Sequence, residues 1–155
     1  MALAEICREL NNYFEYKERL FGAFTVNNKT LTYEGGAVAD YLQEGQYFRI
    51  VGSVFNDGIY VFTPPIIEAL HNDETFDGAI WAMAVPPEVI ALSTEIDAWE
   101  LKYADVLSSP FQSESFGGYS YSKASGNAST GSSGVTWQSA FANRLNKWRK
   151  IRCRY

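Results

Sequence analysis

Few residues in this chain are equipped to make or break bonds, and they are scattered. His71, in the stretch ALHND, is the only histidine. Its ordinary pKa suits acid–base work, and its ring nitrogens can bind metals. Asp73 and Glu74 follow it as a pair of carboxylates. With no second histidine and no cysteine close by, the spacing fits a polar turn better than a metal site or a hydrolytic constellation. Cys7 and Cys153 lie near opposite ends, so they make neither a disulfide framework nor a zinc site and read as small thiols in a reducing compartment. The glycine-bearing GGYS and GSSG match neither a phosphate loop nor a dinucleotide fingerprint. No catalytic residue, cofactor or metal is assigned, and the chain reads as non-enzymatic.

The elements that must position any site follow from periodicity. Leu3, Ile6, Leu10 and Tyr13/Phe14 step by three and four, predicting an amphipathic helix over about 2–16. From Phe21 the pattern becomes β-branched and aromatic. FGAFTVNNKTLTY holds a hairpin turn at NNK, and YFRIVGS and GIYVFT flank NDG, whose residues tolerate positive φ. IIEALHNDE reads as a short helical turn. TFDGAIWAMAVP reads as a strand led by an Asp77-Gly78 turn. Beyond Pro86-Pro87 a stripe at Leu92, Ile96, Trp99, Tyr103 and Val106/Leu107 predicts a long helix over about 87–107. Trp137, Phe141, Leu145 and Trp148 predict a last helix over about 136–152, with Thr136 as N-cap.

The fold expected is α+β: a small bundle of three helices (1–20 and 86–155) with an antiparallel β insertion (21–85) between the first and second. An extended Gly/Ser/Tyr loop occupies 109–135. The longest uncharged apolar stretch, GAIWAMAVPP, is too short to span a bilayer, so no membrane role is expected. Net charge is −5, unevenly spread. Residues 1–135 carry seven bases against 18 acids, whereas six bases and no acid fall in 136–155. A basic tail of this kind either seeks an acidic partner or forms a solvated face.

The stretch ESFGGYSYSKASGNASTGSSG is rich in glycine and serine, yet rings crowd its start. With the preceding SPFQS it carries Ser113-Glu114-Ser115, Gly117, Tyr119 and Ser120. A long helix, an S-E-S-x-G-x-Y-S loop and a closing helix together resemble the head–tail connector (adaptor) proteins of long-tailed bacteriophages. The likeness covers about 87–152 and, loosely, the first helix. The β insertion is a departure from the simplest members, though its GS-x-x-NDG-x-Y hairpin is similar to ones in phage structural proteins.

The resemblance implies a virion protein, made in the host cytoplasm and placed at the head–tail junction. It implies a homo-oligomeric ring, typically a dodecamer, beneath the portal protein and beside other neck or tail proteins, with DNA passing through unbound. Phe116, Gly117, Gly118, Tyr119 and Tyr121 would form an inter-subunit arm, and Arg144, Lys147, Trp148, Arg149 and Lys150 a portal-docking helix. Three other readings stay open. One is a tail-completion or stopper protein of the same neck. A second is a module binding glycan or peptide through Tyr47, Phe55, Tyr60 and Phe62. The third is a hydrolase built around His71.

Overall fold

The computed structural model describes residues 2–34, 36–108, 113–116, 119–122 and 136–151. The expected helical bundle with a β insertion is not what the chain builds. Its main body is a five-stranded antiparallel sheet curled into a half-barrel, joined by three helices. The strands β1 (Leu20–Asn27), β2 (Thr30–Tyr33), β3 (Tyr47–Val51), β4 (Gly58–Val61) and β5 (Glu74–Ala82) lie in the order β2-β1-β5-β3-β4. The reason is the extent of apolar burial in 21–85. Phe24, Val26, Phe48, Ile50, Phe76 and Ile80 all point to one face of the sheet, which Val38, Leu42, Phe62, Ile67 and Leu70 then cover. That segment owns a complete core and is no appendage.

The β1–β2 hairpin turns where expected. Asn28 (φ 47°) and Lys29 (φ 61°) both take the left-handed conformation of a two-residue turn, which matches the twist of the flanking strands. The hairpin expected around NDG is present, with β3 and β4 paired antiparallel, but the turn is not tight: a six-residue connection, 52–57, joins the strands. IIEALHNDE forms turns without a helix. Asp77-Gly78 is not a turn but the middle of the central strand β5, where Gly78 pairs with Gly22 of β1. A Cβ on Gly78 would lie 2.2 Å from the Val51 carbonyl oxygen, and one on Gly52 (φ +96°) 2.9 Å from the Asp77 carbonyl oxygen. Glycine at these sites lets β3 and β5 close together where the sheet bends.

A second core joins the helices. Helix α1 spans Leu3–Glu9 and stops well short of residue 16. Asn11 takes positive φ (51°), the Asn12 amide donates to the Cys7 carbonyl and the Asn11 amide to that of Arg8, a Schellman ending. The chain beyond it runs along the end of β5, where the Ala84 amide donates to the Phe14 carbonyl and the Tyr16 amide to that of Ala82. Helix α2 spans Pro87–Ser108, close to the predicted range. Its Val89, Leu92 and Ile96 pack with Leu3, Ile6, Cys7 and Leu10 of the α1 region, Met83, and Trp137 and Leu145 of α3. Burial pushes the Cys7 thiol up to about 12, so it packs as an inert apolar group.

Helix α3 spans Trp137–Leu145 and tightens into a 3-10 turn at Asn146–Trp148, shorter than 136–152. Thr136 is its N-cap as expected, in a reciprocal pair with Ser139. Within 109–135, Ser113–Phe116 (β6) and Tyr119–Ser122 (β7) pair as a separate two-stranded antiparallel sheet.

Gly78→Ala forces the Val51 carbonyl away from β5 and is expected to destabilise the protein by about 2–4 kcal/mol in urea unfolding. Gly58→Ala meets only the Tyr60 hydroxyl at 3.4 Å and the ring rim at 3.5 Å and is expected to cost under about 1 kcal/mol.

Candidate functional site

Three places hold concentrated side-chain chemistry: the 52–57 connection, the C-terminal helix, and the sheet face opposite the first core.

In the connection, Ser53 and Asn56 are buried beneath a tip made of exposed Val54 and Phe55. The Glu74 carboxylate collects the polar groups there. It accepts from the Ser53 hydroxyl, the Val54 amide (3.2 Å), the Asn56 amide (3.2 Å) and the Asn56 Nδ2 (2.7 Å). Asn56 Nδ2 also donates to the Asn72 carbonyl (2.9 Å), its Oδ1 accepts the His71 amide (2.9 Å), and its carbonyl accepts the Tyr60 hydroxyl (3.1 Å). Burial alone would raise the Glu74 pKa. The donors from Ser53, Asn56 and the Val54 and Phe55 amides outweigh it and hold the carboxyl below its ordinary range.

In this clasp the carboxylates next to His71 are engaged by hydrogen-bond donors. Glu74 is saturated by loop donors, Asp73 Oδ1 accepts the Asn28 amide (2.8 Å), and the His71 side chain is exposed. Among the described residues no cluster of three or more His, Cys, Asp or Glu is placed to hold a metal, and no helix is long and apolar enough to cross a membrane. Of the four rings proposed for a glycan or peptide, Phe62 lies in the sheet core. Tyr60 packs beside it, Tyr47 packs on the helical core, and Phe55 alone stands exposed.

The C-terminal helix uses its charges at home. Arg144 makes two hydrogen bonds to Glu95, Lys147 pairs with Glu88, and Arg149 bonds both the Glu9 carboxylate (2.7 Å) and the Glu9 carbonyl (2.8 Å). Trp148 is half-buried and meets the edge of Phe14 at 6.0 Å between ring centres. The Lys150 amide donates to the Leu10 carbonyl (3.0 Å), while its side chain lines an open groove of about 970 Å³ with Glu5, Arg8, Glu9, Asn11 and Arg149. Exposed pairs of this kind contribute little singly, but together they fix the tail to α1 and α2. Of the arm residues, Phe116 and Tyr119 are cross-strand partners and Tyr121 sits opposite Glu114. Gly117 and Gly118 lie outside the described residues.

The third place was not anticipated from sequence. On the outward face of the sheet, Arg49 of β3 pairs across from Trp81 of β5. The Arg49 guanidinium lies over Tyr13 (4.0 Å) and Trp81 (4.7 Å), and that of Arg19 over Trp81 (3.8 Å). Tyr13 meets Trp81 edge-on at 5.4 Å. Arg19 also holds Glu15 with two 3.0 Å hydrogen bonds, which keeps that carboxyl below its ordinary range. The charge of Arg49 also acts on the Glu15 carboxylate, and the buried Trp81 indole N–H has no acceptor among the described residues. A lone arginine between Phe48 and Ile50 was the available signal. Comparison with known proteins returns no matching family model, curated protein or solved structure.

Because the Glu74 pKa is depressed in the folded state, its contribution is complete above the unfolded-state value near 4.5 and is lost as pH falls through the lower folded value. Acid titration of stability in wild type should therefore show a decline below about pH 4.5 that Glu74→Gln flattens. Glu74→Ala, which leaves Asn56 and Ser53 short of an acceptor, should cost about 2–3 kcal/mol at pH 7.

Proposed function

We propose that this chain is a non-enzymatic structural subunit of a phage neck, a head–tail connector that assembles as a ring on the portal. The observation that carries the reading is the β6–β7 hairpin. Its register sets Glu114, Phe116, Tyr119 and Tyr121 at positions of one face and Ser113, Ser115, Ser120 and Ser122 at positions of the other. Among the described residues the hairpin is a sheet of two strands, and an outer edge without a strand partner there is suited to strand addition. It follows a 22-residue helix, which gives it reach. A hairpin with ring positions on one face and such an edge is suited to clasp an adjacent copy, since aromatic side chains supply contact area at low entropic cost.

The acidic body supports passage of DNA without grip, because each cation on a lumen wall would add a salt-dependent phosphate contact. The C-terminal cations act first as ties to α1 and α2. Portal docking in this reading therefore draws on Lys150 and the groove it lines more than on Arg144, Lys147 or Arg149.

The test mixes purified chain with isolated portal rings and counts decorated rings by electron microscopy. The triple variant Phe116→Ser, Tyr119→Ser, Tyr121→Ser should keep the wild-type melting temperature within a few degrees yet abolish decoration. Equal decoration by the variant, or none by wild type, would overturn the reading.

A further inference from the structure

We infer that the Arg49 guanidinium, in the corner between Tyr13 and Trp81, is the fork of a binding site for a phosphate dianion, free or borne on a monoester, with Arg19 and Lys150 beside it. Separate segments build the site. Arg49 comes from β3 and Trp81 from β5, where the two are cross-strand partners. Tyr13, Glu15 and Arg19 come from the chain between α1 and β1, and Lys150 from the tail beyond α3. The Tyr13 and Trp81 rings stand at 87° to each other. The Arg49 guanidinium lies 4.0 Å from one ring centre and 4.7 Å from the other. A planar group lodged against two rings has little rotamer freedom left to lose when it binds.

Arg49 is held by ring contacts and not by hydrogen bonds. Among the described residues none of its N–H groups has an acceptor. Its nitrogens reach solvent, since Trp81 Nε1 is the buried side-chain nitrogen left without a partner there. Arg19 differs, because it gives two hydrogen bonds of 3.0 Å to Glu15. The Lys150 side chain is exposed, and its ammonium has no acceptor among the described residues. The charges of Lys150 and Arg49 reach Glu15 as well and help Arg19 hold that carboxyl below its ordinary range. Three cations thus share one carboxylate, a surplus of two positive charges on a chain of net charge −5. That surplus matches the charge of a phosphate monoester near neutral pH. A guanidinium fork binds two phosphate oxygens at once, through short charge-assisted hydrogen bonds.

Charge and geometry together select among anions. A carboxylate answers one of the two surplus charges and leaves the other. A DNA backbone phosphate is a diester with one charge, so the site is no grip on passing DNA. Base stacking needs free ring faces, and guanidinium groups lie over both Trp81 and Tyr13. The recognised group is therefore the phosphate itself. A phosphate site on this face stands apart from the neck reading: its absence leaves ring assembly untouched, and failure to decorate the portal leaves phosphate binding untouched.

The test titrates anions into the full, isotope-labelled chain at about pH 8 and follows it by NMR. Sodium chloride holds the ionic strength constant, so that general screening does not contribute. The reporters are the Trp81 indole N–H and the Arg49 Nε–H, assigned with Trp81→Phe and Arg49→Lys. Inorganic phosphate should shift both with a Kd of about 1 mM. Dimethyl phosphate and acetate should bind at least about tenfold more weakly. Methyl phosphate separates the two sources: binding equal to that of inorganic phosphate assigns the site to ester-borne phosphate too, and much weaker binding assigns it to the free ion. These rankings are read on wild type and hold even where a variant fails to fold. Arg49→Lys keeps the charge but loses the fork and should weaken phosphate binding at least about fivefold, read at the Trp81 indole. Glu15→Gln removes the carboxylate that shares these cations and should tighten it at least about threefold. Reporters unmoved by phosphate, equal binding of dimethyl phosphate or acetate, an indifferent Arg49→Lys, or weaker binding by Glu15→Gln would each overturn the proposal.

Discussion

The close approach of β3 to β5 at Gly78 is the constraint on which the rest of the structure depends. Only without a Cβ at residue 78 can the Val51 carbonyl come so near, and only then does β5 hold both β1 and β3 as neighbours along one continuous register. From that position β5 serves two cores and a surface. Phe76, Ile80 and Ala82 enter the sheet core, Met83 just beyond its end enters the helical core, and Ala79 and Trp81 form the outward face. The same closeness explains the Glu74 clasp. The first residue of β5 is brought under the 52–57 connection, where its carboxylate meets donors that would otherwise be buried without acceptors, at a cost of about 1–3 kcal/mol each.

Folding sets three bases of the last segment against acids of the body. Bases of the last segment meet acids of α1 and α2, with Glu9, Glu88 and Glu95 each holding one cation. The tail is also held by backbone polarity, since Asn12 Nδ2 donates to the Trp148 carbonyl (2.9 Å) and the Lys150 amide to that of Leu10. Leu145 and Trp137 then bury beside α1 and α2. Removing the tail would thus expose helical core, and loss of docking after truncation would say nothing specific about docking.

What could be read from the sequence, and what could not, divides along the range of the interaction. The α2 stripe, the Asn28-Lys29 turn and the Thr136 cap are local effects of side chain on backbone, and the structure has them. The overrun of α1 to residue 16 arose because Tyr13 and Phe14 continue the helical step although Asn11 has already ended the helix; Tyr13 lies on the outward sheet face and Phe14 against Trp148. NDG and Asp77-Gly78 have the composition of turns, but Asn56 is a buried hydrogen-bond hub and Gly78 a point of close approach. Both roles are set by strands distant in sequence. Taking 21–85 as an insertion failed for the same reason, because which segment owns the larger core is a property of packing. The arginine–aromatic surface joins Tyr13, Arg19, Arg49 and Trp81 from three separate segments, which no spacing rule links.

That surface shows how one sheet face can be finished in two ways. At its Trp81 row, cations lie over the rings: Arg19 and Arg49 spread apolar stems and planar guanidinium groups across Trp81 and Tyr13 while their charge stays near water. Such contacts contribute about 0.5–1 kcal/mol each at half-exposed sites, and they make a pair of large rings compatible with solvent. One strand step away, Phe21 has no such cover, although Ala79 beside it is buried. Further along the same face, half-buried Thr25 and exposed Thr75 join hydroxyls at 3.1 Å. The physical difference between Trp81 and Phe21 on this sheet is whether the ring is covered by guanidinium groups of its own chain.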